Sequence, residues 1–310
     1  MSANLSGKTM NHVTDAVAVD SNGELDQGMR KITLEAIKCS RCGLCATICH
    51  EHCIQLAENG PIIVAEFCST CSQCIAVCPT RALAWNHIPP DRYDRHRLPL
   101  PEQLDELFKE RRSIRHFKPQ PIDRVLLEEI VSYGIFAPTE NFQLRAIIVD
   151  DPLILAELEE TLMRLTQRVH RWVFGLPLLL PLARMLGLAH TYLRTKAKVD
   201  NVVRRGHYFR GMPAAFVLII GLRKIPLSEA SAQYALANLM YYAQVKGIGS
   251  YLCGNGQLFL DKNRSFRNHL GLQRGESILG ALFLGYPAIK FSNKVNGKRL
   301  PIQWNGVHNS

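Results

Sequence analysis

The chain has 310 residues, a net charge of +10 and a hydrophobic fraction of 47%, so it is long enough for two domains with substantial cores. Its charged fraction of 21% is that of an ordinary globular protein and excludes a largely disordered chain. The first 28 residues lack a basic start followed by an apolar stretch, so we expect no secretory signal there. Residues 1–29 are predicted to be a disordered or weakly ordered tail.

Nine of the ten cysteines lie between Cys39 and Cys78, which favours metal binding in a reducing compartment over scattered disulfides. Eight of them form two ladders of identical C-x2-C-x2-C-x3-C spacing, "CSRCGLCATICH" and "CSTCSQCIAVCP". In such a ladder three thiolates hold one iron–sulfur cluster and the fourth reaches the cluster of the other ladder. The predicted ligands are Cys39, Cys42, Cys45 and Cys78 for one [4Fe-4S] cluster, and Cys68, Cys71, Cys74 and Cys49 for the other. Two zinc sites are the alternative, which the identical spacing disfavours.

The ladders and their flanks make residues 30–88 resemble the bacterial two-cluster ferredoxins. Cys78-Pro79 matches the usual end of that motif, and "ITLEAIKC" and "RALAWN" look like the flanking strands. His50 stands where that family often has proline. Cys53 has no place in the ligand scheme and is predicted to be a small buried hydrophobic residue. Residues 89–101 are rich in proline and charge, which predicts a linker.

Strand and helix patterns alternate through residues 102–310. Helical spacing follows the linker in "PEQLDELFKE", and a second helix is expected around 123–133, capped by Asp123. The apolar runs "RAIIVD", "AAFVLIIG" and "SILGALFLG" predict strands, and a long helix is expected over 228–246. The order predicts an α/β or α+β domain, with a sandwich built on a mainly antiparallel sheet as one option.

Four short motifs in this part of the chain carry chemistry. "RRSIR" supplies guanidinium groups and a hydroxyl that suit a phosphate, and "GKRLP" supplies further cations. "APTENFQ" offers amides for the polar edge of a heterocycle, and "GIGSYLCGNG" offers a glycine-rich backbone for a flat ring. Each motif alone also fits an ordinary surface segment. In this order, however, they resemble the nitroreductase family over residues 102–310. That resemblance implies an α+β sandwich, FMN as cofactor and a homodimer with each flavin at the subunit interface.

The resemblance also implies roles for individual residues. Those expected to contact FMN are Arg111, Arg112, Ser113, Arg115, Pro138, Thr139, Asn141, Gln143, Gly254, Lys298 and Arg299. The first three, with Lys298 and Arg299, would hold the phosphate and ribityl chain, and Arg115 would lie near the pyrimidine edge. Pro138, Thr139 and Asn141 would come from the partner subunit, and Gly254 would face the flavin N5 by its backbone. Leu144 stands where the family often has tryptophan, and Arg205 and Arg210 are candidates for a further contact. No catalytic side chain is assigned.

Most of the positive charge lies in one segment, residues 164–210, which has ten Lys or Arg and one acid, a net charge of +9. Because this charge is local, we expect no nucleic-acid partner. The segment also contains "WVFGLPLLLPLARMLGLAHTYL", which Arg184 and two prolines make too interrupted for a membrane span. It is predicted to form a helical pair that covers the flavin, packs in a dimer, or lies on an anionic membrane surface.

The combination predicts a cytoplasmic oxidoreductase, with peripheral contact at the inner membrane face as one version. An external donor such as ferredoxin or flavodoxin would load two [4Fe-4S] clusters with single electrons, and FMN would reduce a small electron-poor acceptor by two electrons. Nitroaromatics, quinones and activated alkenes all fit. The alternatives are an NAD(P)H- or quinone-linked flavoprotein that exports electrons through its clusters, and a non-enzymatic iron–sulfur carrier or redox sensor.

Overall fold

The computed structural model describes residues 32–58, 60–64, 68–138, 143–297 and 299–304. Within them the strands are β1 (Ile32–Leu34), β2 (Ile54–Ala57), β3 (Gly60–Ile63), β4 (Leu83–Trp85), β5 (Arg145–Val149), β6 (Ala215–Leu222), β7 (Gly249–Leu252) and β8 (Glu276–Gly285). The helices are α1 (Leu44–Ile48), α2 (Gln73–Val77), α3 (Pro101–Glu110), α4 (Arg124–Ser132), α5 (Pro152–Val169), α6 (Leu179–Met185), α7 (Ala189–Arg205), α8 (Ser228–Val245), α9 (Gly254–Lys262) and α10 (Arg264–His269). A π-turn over His170–Phe174 extends α5.

The first part of the chain, residues 32–88, which we call the cysteine unit, has two short antiparallel pairs. Strand β1 pairs with β4, and β2 pairs with β3. The strands predicted on either side of the ladders are therefore present, and they pair with each other. A small core of Cys53, Ile54, Cys74, Ile75 and Leu83 lies between them.

The two ladders have the same backbone conformation. Each contains a five-residue helix, α1 or α2, between its second and fourth cysteines. Left-handed residues occupy matching positions in the two ladders: Arg41 with Thr70, Gly43 with Ser72, and His52 with Arg81. All of these residues except Gly43 carry a side chain, and a left-handed conformation costs such residues free energy. The two ladders therefore share an unfavourable backbone conformation as well as the spacing of their cysteines.

The second part, residues 101–297, which we call the sheet domain, is built on a four-stranded sheet in the order β5-β6-β8-β7. All three strand pairs are antiparallel, so the antiparallel option is confirmed. Alternate residues of β6 enter two separate cores: Val217 and Ile219 face α4 and α8, whereas Phe216 and Leu218 face the side of α5 and α9. Helices thus cover both faces, which explains why β6 and β8 are continuous apolar runs.

The segment "RRSIRHF" forms one edge of this sheet. Ile114 N–H donates to the Ser250 carbonyl of β7 at 2.9 Å, and Lys118 N–H donates to the Tyr286 carbonyl at 2.8 Å. Two glycines permit this close approach, because a Cβ on Gly249 would lie 2.7 Å from Ile114 and one on Gly285 would lie 2.6 Å from Phe117. The basic motif is therefore fixed against the sheet.

The basic segment 164–210 folds as the expected helical pair, α6 and α7, after the end of α5. Asp200 on α7 binds Lys196 Nζ at 2.8 Å and His170 Nε2 at 3.1 Å, which ties α7 to the π-turn. Several large apolar side chains in between are exposed, among them Trp172 (66%), Leu178 (78%) and Met185 (85%). Among the described helices, none combines the length and apolar character that crossing a bilayer requires.

Candidate functional site

Two cavities in the cysteine unit are lined by cysteines. The first thiol cavity is lined by Cys39, Cys42, Cys45 and Cys78, together with residues of the surrounding loop and strands. The second thiol cavity is lined by Cys49, Cys53, Cys68, Cys71 and Cys74. Each cavity therefore combines three cysteines of one ladder with the last cysteine of the other, which is the exchange that the spacing predicts.

Backbone amides donate to the sulfur atoms of two ladder cysteines. Thr70 N–H donates to Cys68 Sγ at 3.4 Å, and Ala82 N–H donates to Cys78 Sγ at 3.3 Å. Such donors stabilise the charged thiolate form that a metal ligand requires. All ten cysteines are described, and none of them forms a disulfide.

Cys53, which the ligand scheme left out, is buried as predicted, with 4% of its surface exposed. Its surroundings are not purely apolar, however. Its Sγ lies 3.3 Å from Cys49 Sγ, and it lines the second thiol cavity. In the described residues, no group of three or more His, Cys, Asp or Glu side chains is arranged to hold a single metal ion.

A larger cavity of about 650 Å³, the basic cavity, opens beside β7 in the sheet domain. It brings together Ser113 and Arg115 of the basic motif with three cations from the segment 164–210. Those cations are Lys198, Arg205 and Arg210. Among the described residues that line this cavity, none is acidic, so its potential favours an anionic ligand. Its volume is within the range of about 300–1,000 Å³ that small-molecule sites occupy.

Two tyrosines and an arginine shape the wall of the basic cavity. The Arg115 guanidinium lies 5.0 Å from the centroid of the Tyr251 ring, within the range of a cation–π contact. Burial raises the pKa of the Tyr251 phenol and that of the Tyr208 phenol, so both stay protonated at neutral pH. The two hydroxyl groups hydrogen-bond with each other, with Tyr208 as the donor, so only the Tyr251 O–H is left to donate to a ligand.

Helix α7 forms one side of the basic cavity. Lys198, Asn201, Val202 and Arg205 recur at helical spacing and all line it. The Arg205 guanidinium donates to the carbonyl oxygens of His207 and Tyr208 at 2.9 and 2.8 Å, so this side chain also holds the chain that follows α7. Lys198 and Asn201 were not predicted from the sequence as ligand contacts, although their helical spacing with Arg205 was a usable signal.

Arg112 belongs to a neighbouring cavity of about 360 Å³, the edge cavity. Its guanidinium donates to the carbonyls of Lys109 and Arg111 at 2.6 and 2.8 Å. Ser250 and Lys290 also line this cavity, so a basic group lies here too. Arg111 ends α3 and is partly buried, but it is not among the residues that line either cavity.

The remaining predicted contacts are not gathered at these cavities. Pro138 and Arg299 are exposed, Gln143 is partly buried, and Gly254 begins α9; none of the four is among the lining residues. Thr139, Asn141 and Lys298 lie outside the described residues. The roles assigned to all seven stay predictions.

Cys253 ends the glycine-rich turn just before α9. It is 1% exposed, and burial raises the pKa of its thiol to about 12, so it is a neutral buried thiol at physiological pH. A nucleophile or metal ligand needs an accessible thiolate. Cys253 is therefore a packing residue of the sheet domain.

The family model for the Nitroreductase family matches residues 108–286, which is more than half of the chain. Among solved structures, a nitroreductase with bound FMN from Desulfitobacterium hafniense is 17% identical, with a TM-score of 0.49, and the match covers 66% of this chain and 100% of that one. A nitroreductase with bound FMN from Bacteroides fragilis is 18% identical, with a TM-score of 0.46, over 65% of this chain and 99% of that one. No curated protein matches the chain.

Proposed function

The chain belongs to the nitroreductase family, and from this premise we propose that it is an FMN-dependent oxidoreductase that receives single electrons through two [4Fe-4S] clusters. The observation that carries the flavin part is the basic cavity. It gathers Ser113, Arg115 and three further cations around about 650 Å³, with no acidic residue among the described lining. FMN is anionic at its phosphate and needs both cations and a flat wall, which the Tyr251 side of the cavity offers.

Ser113 and Arg115 would hold FMN at the edge of the sheet, and Arg112 would contribute from the edge cavity. The backbone hydrogen bond from Ile114 to Ser250 fixes this motif before any ligand binds, so little conformational entropy is lost on binding. We further propose a homodimer in which the partner subunit's loop, with residues equivalent to Pro138, completes the flavin site.

The thiol cavities support the cluster part of the proposal. A [4Fe-4S] cube needs four thiolates around a space larger than a single ion. Cys39, Cys42, Cys45 and Cys78 surround one cavity, and the second cavity has Cys68, Cys71, Cys74 and Cys49 in its lining. A zinc ion instead needs its four sulfur atoms about 2.3 Å from one centre. The identical C-x2-C-x2-C-x3-C spacing of the two ladders favours clusters over zinc.

When bound, the clusters would supply electrons one at a time, and FMN would combine two of them for a two-electron reduction of the acceptor. The protein's own groups position and tune these centres. The cations of the basic cavity favour added negative charge there, and the protonated Tyr251 phenol can donate a hydrogen bond to an acceptor. Small electron-poor molecules such as nitroaromatics, quinones or activated alkenes are the proposed substrates, and a ferredoxin or flavodoxin is the proposed donor.

The donor is tested by separate anaerobic titrations with reduced ferredoxin, NADH and NADPH, followed in the visible spectrum. Our proposal expects both the flavin and the iron–sulfur absorption to bleach with ferredoxin and not with the nicotinamides. Rapid bleaching by a nicotinamide would contradict this and show that electrons enter at the flavin and leave through the clusters. Cluster reduction without turnover of any two-electron acceptor would instead favour a carrier or sensor.

The role of α7 in the flavin site is tested by a matched pair of variants. Lys198 lines the basic cavity, whereas Arg194, one turn earlier on α7, is exposed and is not among its lining residues. We expect Lys198→Ala to weaken FMN binding about 10-fold, in line with the loss of one charge-assisted contact, and Arg194→Ala to leave it unchanged. Equal effects of the two variants would contradict a role of α7 in holding the ligand.

The exposed apolar residues of segment 164–210 support a peripheral contact with an anionic membrane surface. Trp172, Leu178 and Met185 are more than half exposed in a segment of net charge +9, a combination typical of interfacial helices. We expect Met185→Asp to abolish co-sedimentation with anionic vesicles and Leu153→Asp, an equally exposed position on α5, to leave it intact. Concentration-dependent self-association that Met185→Asp alone removes would instead identify this surface as a contact between subunits.

A further inference from the structure

The cysteine unit contains one thiol more than two [4Fe-4S] clusters need, and the two ladders provide an internal comparison for it. The second ladder follows the first by the same interval at every cysteine: Cys39 corresponds to Cys68, Cys42 to Cys71, Cys45 to Cys74 and Cys49 to Cys78. The shared left-handed turns show that the backbones correspond as well. By this correspondence, Cys53 in the first ladder matches Ala82 in the second.

The two matching positions have the same environment and differ in chemistry. Cys53 is 4% exposed and lines the second thiol cavity; Ala82 is 1% exposed and lines the first. Cys53 Sγ lies 3.3 Å from Cys49 Sγ, and Ala82 N–H donates to Cys78 Sγ at 3.3 Å. Each residue therefore contacts the cysteine that crosses to the other ladder's cavity, but only Cys53 brings a second sulfur atom to it.

We propose that Cys53 is a reserve ligand of the second cluster, which replaces Cys49 when the Cys49 thiolate is missing. The inference rests on the proposed function, because it requires that clusters occupy the thiol cavities. In the exchange, the iron–sulfur bond to Cys49 breaks and one to Cys53 forms; the departing Cys49 thiolate takes up a proton, the Cys53 thiol releases one to solvent, and no electron is transferred. Since Cys53 already lies within van der Waals distance of Cys49, the replacement needs only a small movement of a side chain.

The second cluster thus has five cysteines within reach, and the first has four. We expect the second cluster to tolerate loss of its crossing ligand, Cys49, and the first to fail on loss of its own, Cys78. Ala82 is the reason for the difference, because a methyl group has no lone pair for iron.

The test uses the full chain, purified without oxygen, and measures iron and sulfide per chain together with the EPR spectrum of the oxidised protein. The variants are Cys49→Ala, Cys53→Ala, the double variant of both, Cys78→Ala, and Cys78→Ala combined with Ala82→Cys. An intact oxidised [4Fe-4S] cluster gives no EPR signal, whereas a cluster that has lost one iron does. Bound FMN is measured in each variant, because it reports whether the sheet domain has folded.

We expect the wild type, Cys49→Ala and Cys53→Ala to hold about eight irons without a three-iron signal. The double variant and Cys78→Ala should lose about one to four irons, and Ala82→Cys should restore those that Cys78→Ala loses. The restoration tests the inference in the opposite direction, so it remains informative even when a Cys49 variant folds poorly.

Two results would overturn the reserve-ligand role and leave the proposed function intact. The first is an iron loss in Cys49→Ala as large as that in Cys78→Ala, while the wild type holds about eight irons. The second is loss of iron in Cys53→Ala alone, which would make Cys53 a primary ligand. A wild-type chain that holds no iron would contradict the clusters themselves, and is thereby distinguished from either result.

Discussion

The cysteine unit and the sheet domain bury apolar surface to very different extents. The sheet domain has two clusters of 14 and 13 buried residues, one on each face of its sheet. Among its described residues, the cysteine unit has one cluster of five, two of which are themselves cysteines. A core of that size is too small to hold a domain of under 60 residues together without a staple such as a metal centre. We infer that the cysteine unit would need its clusters in order to stay folded. The sheet domain, in contrast, would be stable without FMN and would bind it as a ligand.

The largest expected effect is on the cysteine unit and follows from removal of a cluster ligand. Cys42 is exposed, so Cys42→Ala removes almost no packing. We expect the variant to lose about one to four irons and hydrogen–deuterium exchange to show loss of protection in β1 and β4, with β6 and β8 unchanged. An exposed residue of β2 that does not line the first thiol cavity serves as control, and Gln55→Ala should alter neither quantity. Full protection of β1 and β4 after iron loss would show that the cysteine unit is stable without its clusters.

The next effect concerns the sheet domain and should not depend on iron. Leu236 is 1% exposed in the core between α8 and the sheet. We expect Leu236→Ala to lower the free energy of unfolding of this domain by about 2–5 kcal/mol, because it leaves a cavity. The iron content should stay at the wild-type value. Tyr234→Ala, on the same helix but 52% exposed, is the control. Exchange in β6 and β8 reports the change, and loss of iron in Leu236→Ala would show that the two regions are not independent.

Arg115 provides the corresponding prediction for the flavin. Arg115→Ala removes a charge-assisted contact worth about 1.5–3 kcal/mol, so FMN should bind about 10- to 150-fold more weakly. Arg115→Lys should recover part of this affinity, since the charge remains but the planar fork is lost. Fluorescence titration of the flavin measures both variants. Wild-type affinity in Arg115→Ala would remove this residue from the proposed site, and the unfolding of the sheet domain should be unaffected in either variant.

The smallest effect is electrostatic and lies at Glu276, the first residue of β8. Glu276 accepts two hydrogen bonds from Arg145, both at 2.7 Å. Burial alone would raise the pKa of Glu276, but the hydrogen bonds from Arg145 and Gln273 outweigh it, and the pKa lies below its usual value of 4.5. The stabilisation is therefore complete above pH 4.5 and is lost as the pH falls through the lowered pKa.

Glu276→Gln should accordingly lower the stability of the sheet domain by about 1–3 kcal/mol at neutral pH. The difference from the wild type should shrink as the pH is lowered below the usual glutamate pKa. Urea unfolding at several pH values measures this trend. A difference that stays constant with pH would show that the charge of Glu276 contributes nothing.

The sequence predicted best those features that repeat along the chain. The periodic apolar residues and capping Asp123 located α4, whose N-terminal amides at Val125 and Leu126 do bind the Asp123 carboxylate. The apolar runs located β6 and β8 to within one residue. The spacing of the cysteines likewise predicted which thiols share a cavity, because a fixed ladder leaves few ways to arrange four sulfur atoms.

What the sequence did not predict depends on contacts between distant segments. Lys198 of α7 and Tyr251 of β7 both line the basic cavity although they are far apart in the chain, and only the tertiary fold brings them to one cavity. The contact between Cys53 and Cys49 was missed for a different reason. Cys53 has no place in the ligand spacing and was therefore predicted only to be a buried small hydrophobic residue, and that prediction does not tell whether the thiol packs against carbon or sulfur.

The central claim is that clusters and flavin reside in one chain, and it is tested most directly by their stoichiometry. We would purify the full chain without oxygen and measure iron, acid-labile sulfide, zinc and FMN per chain. The account predicts about eight irons, about eight sulfides and one FMN, since each cube contains four of each atom. Zinc in place of iron, or a chain that binds no flavin, would contradict it.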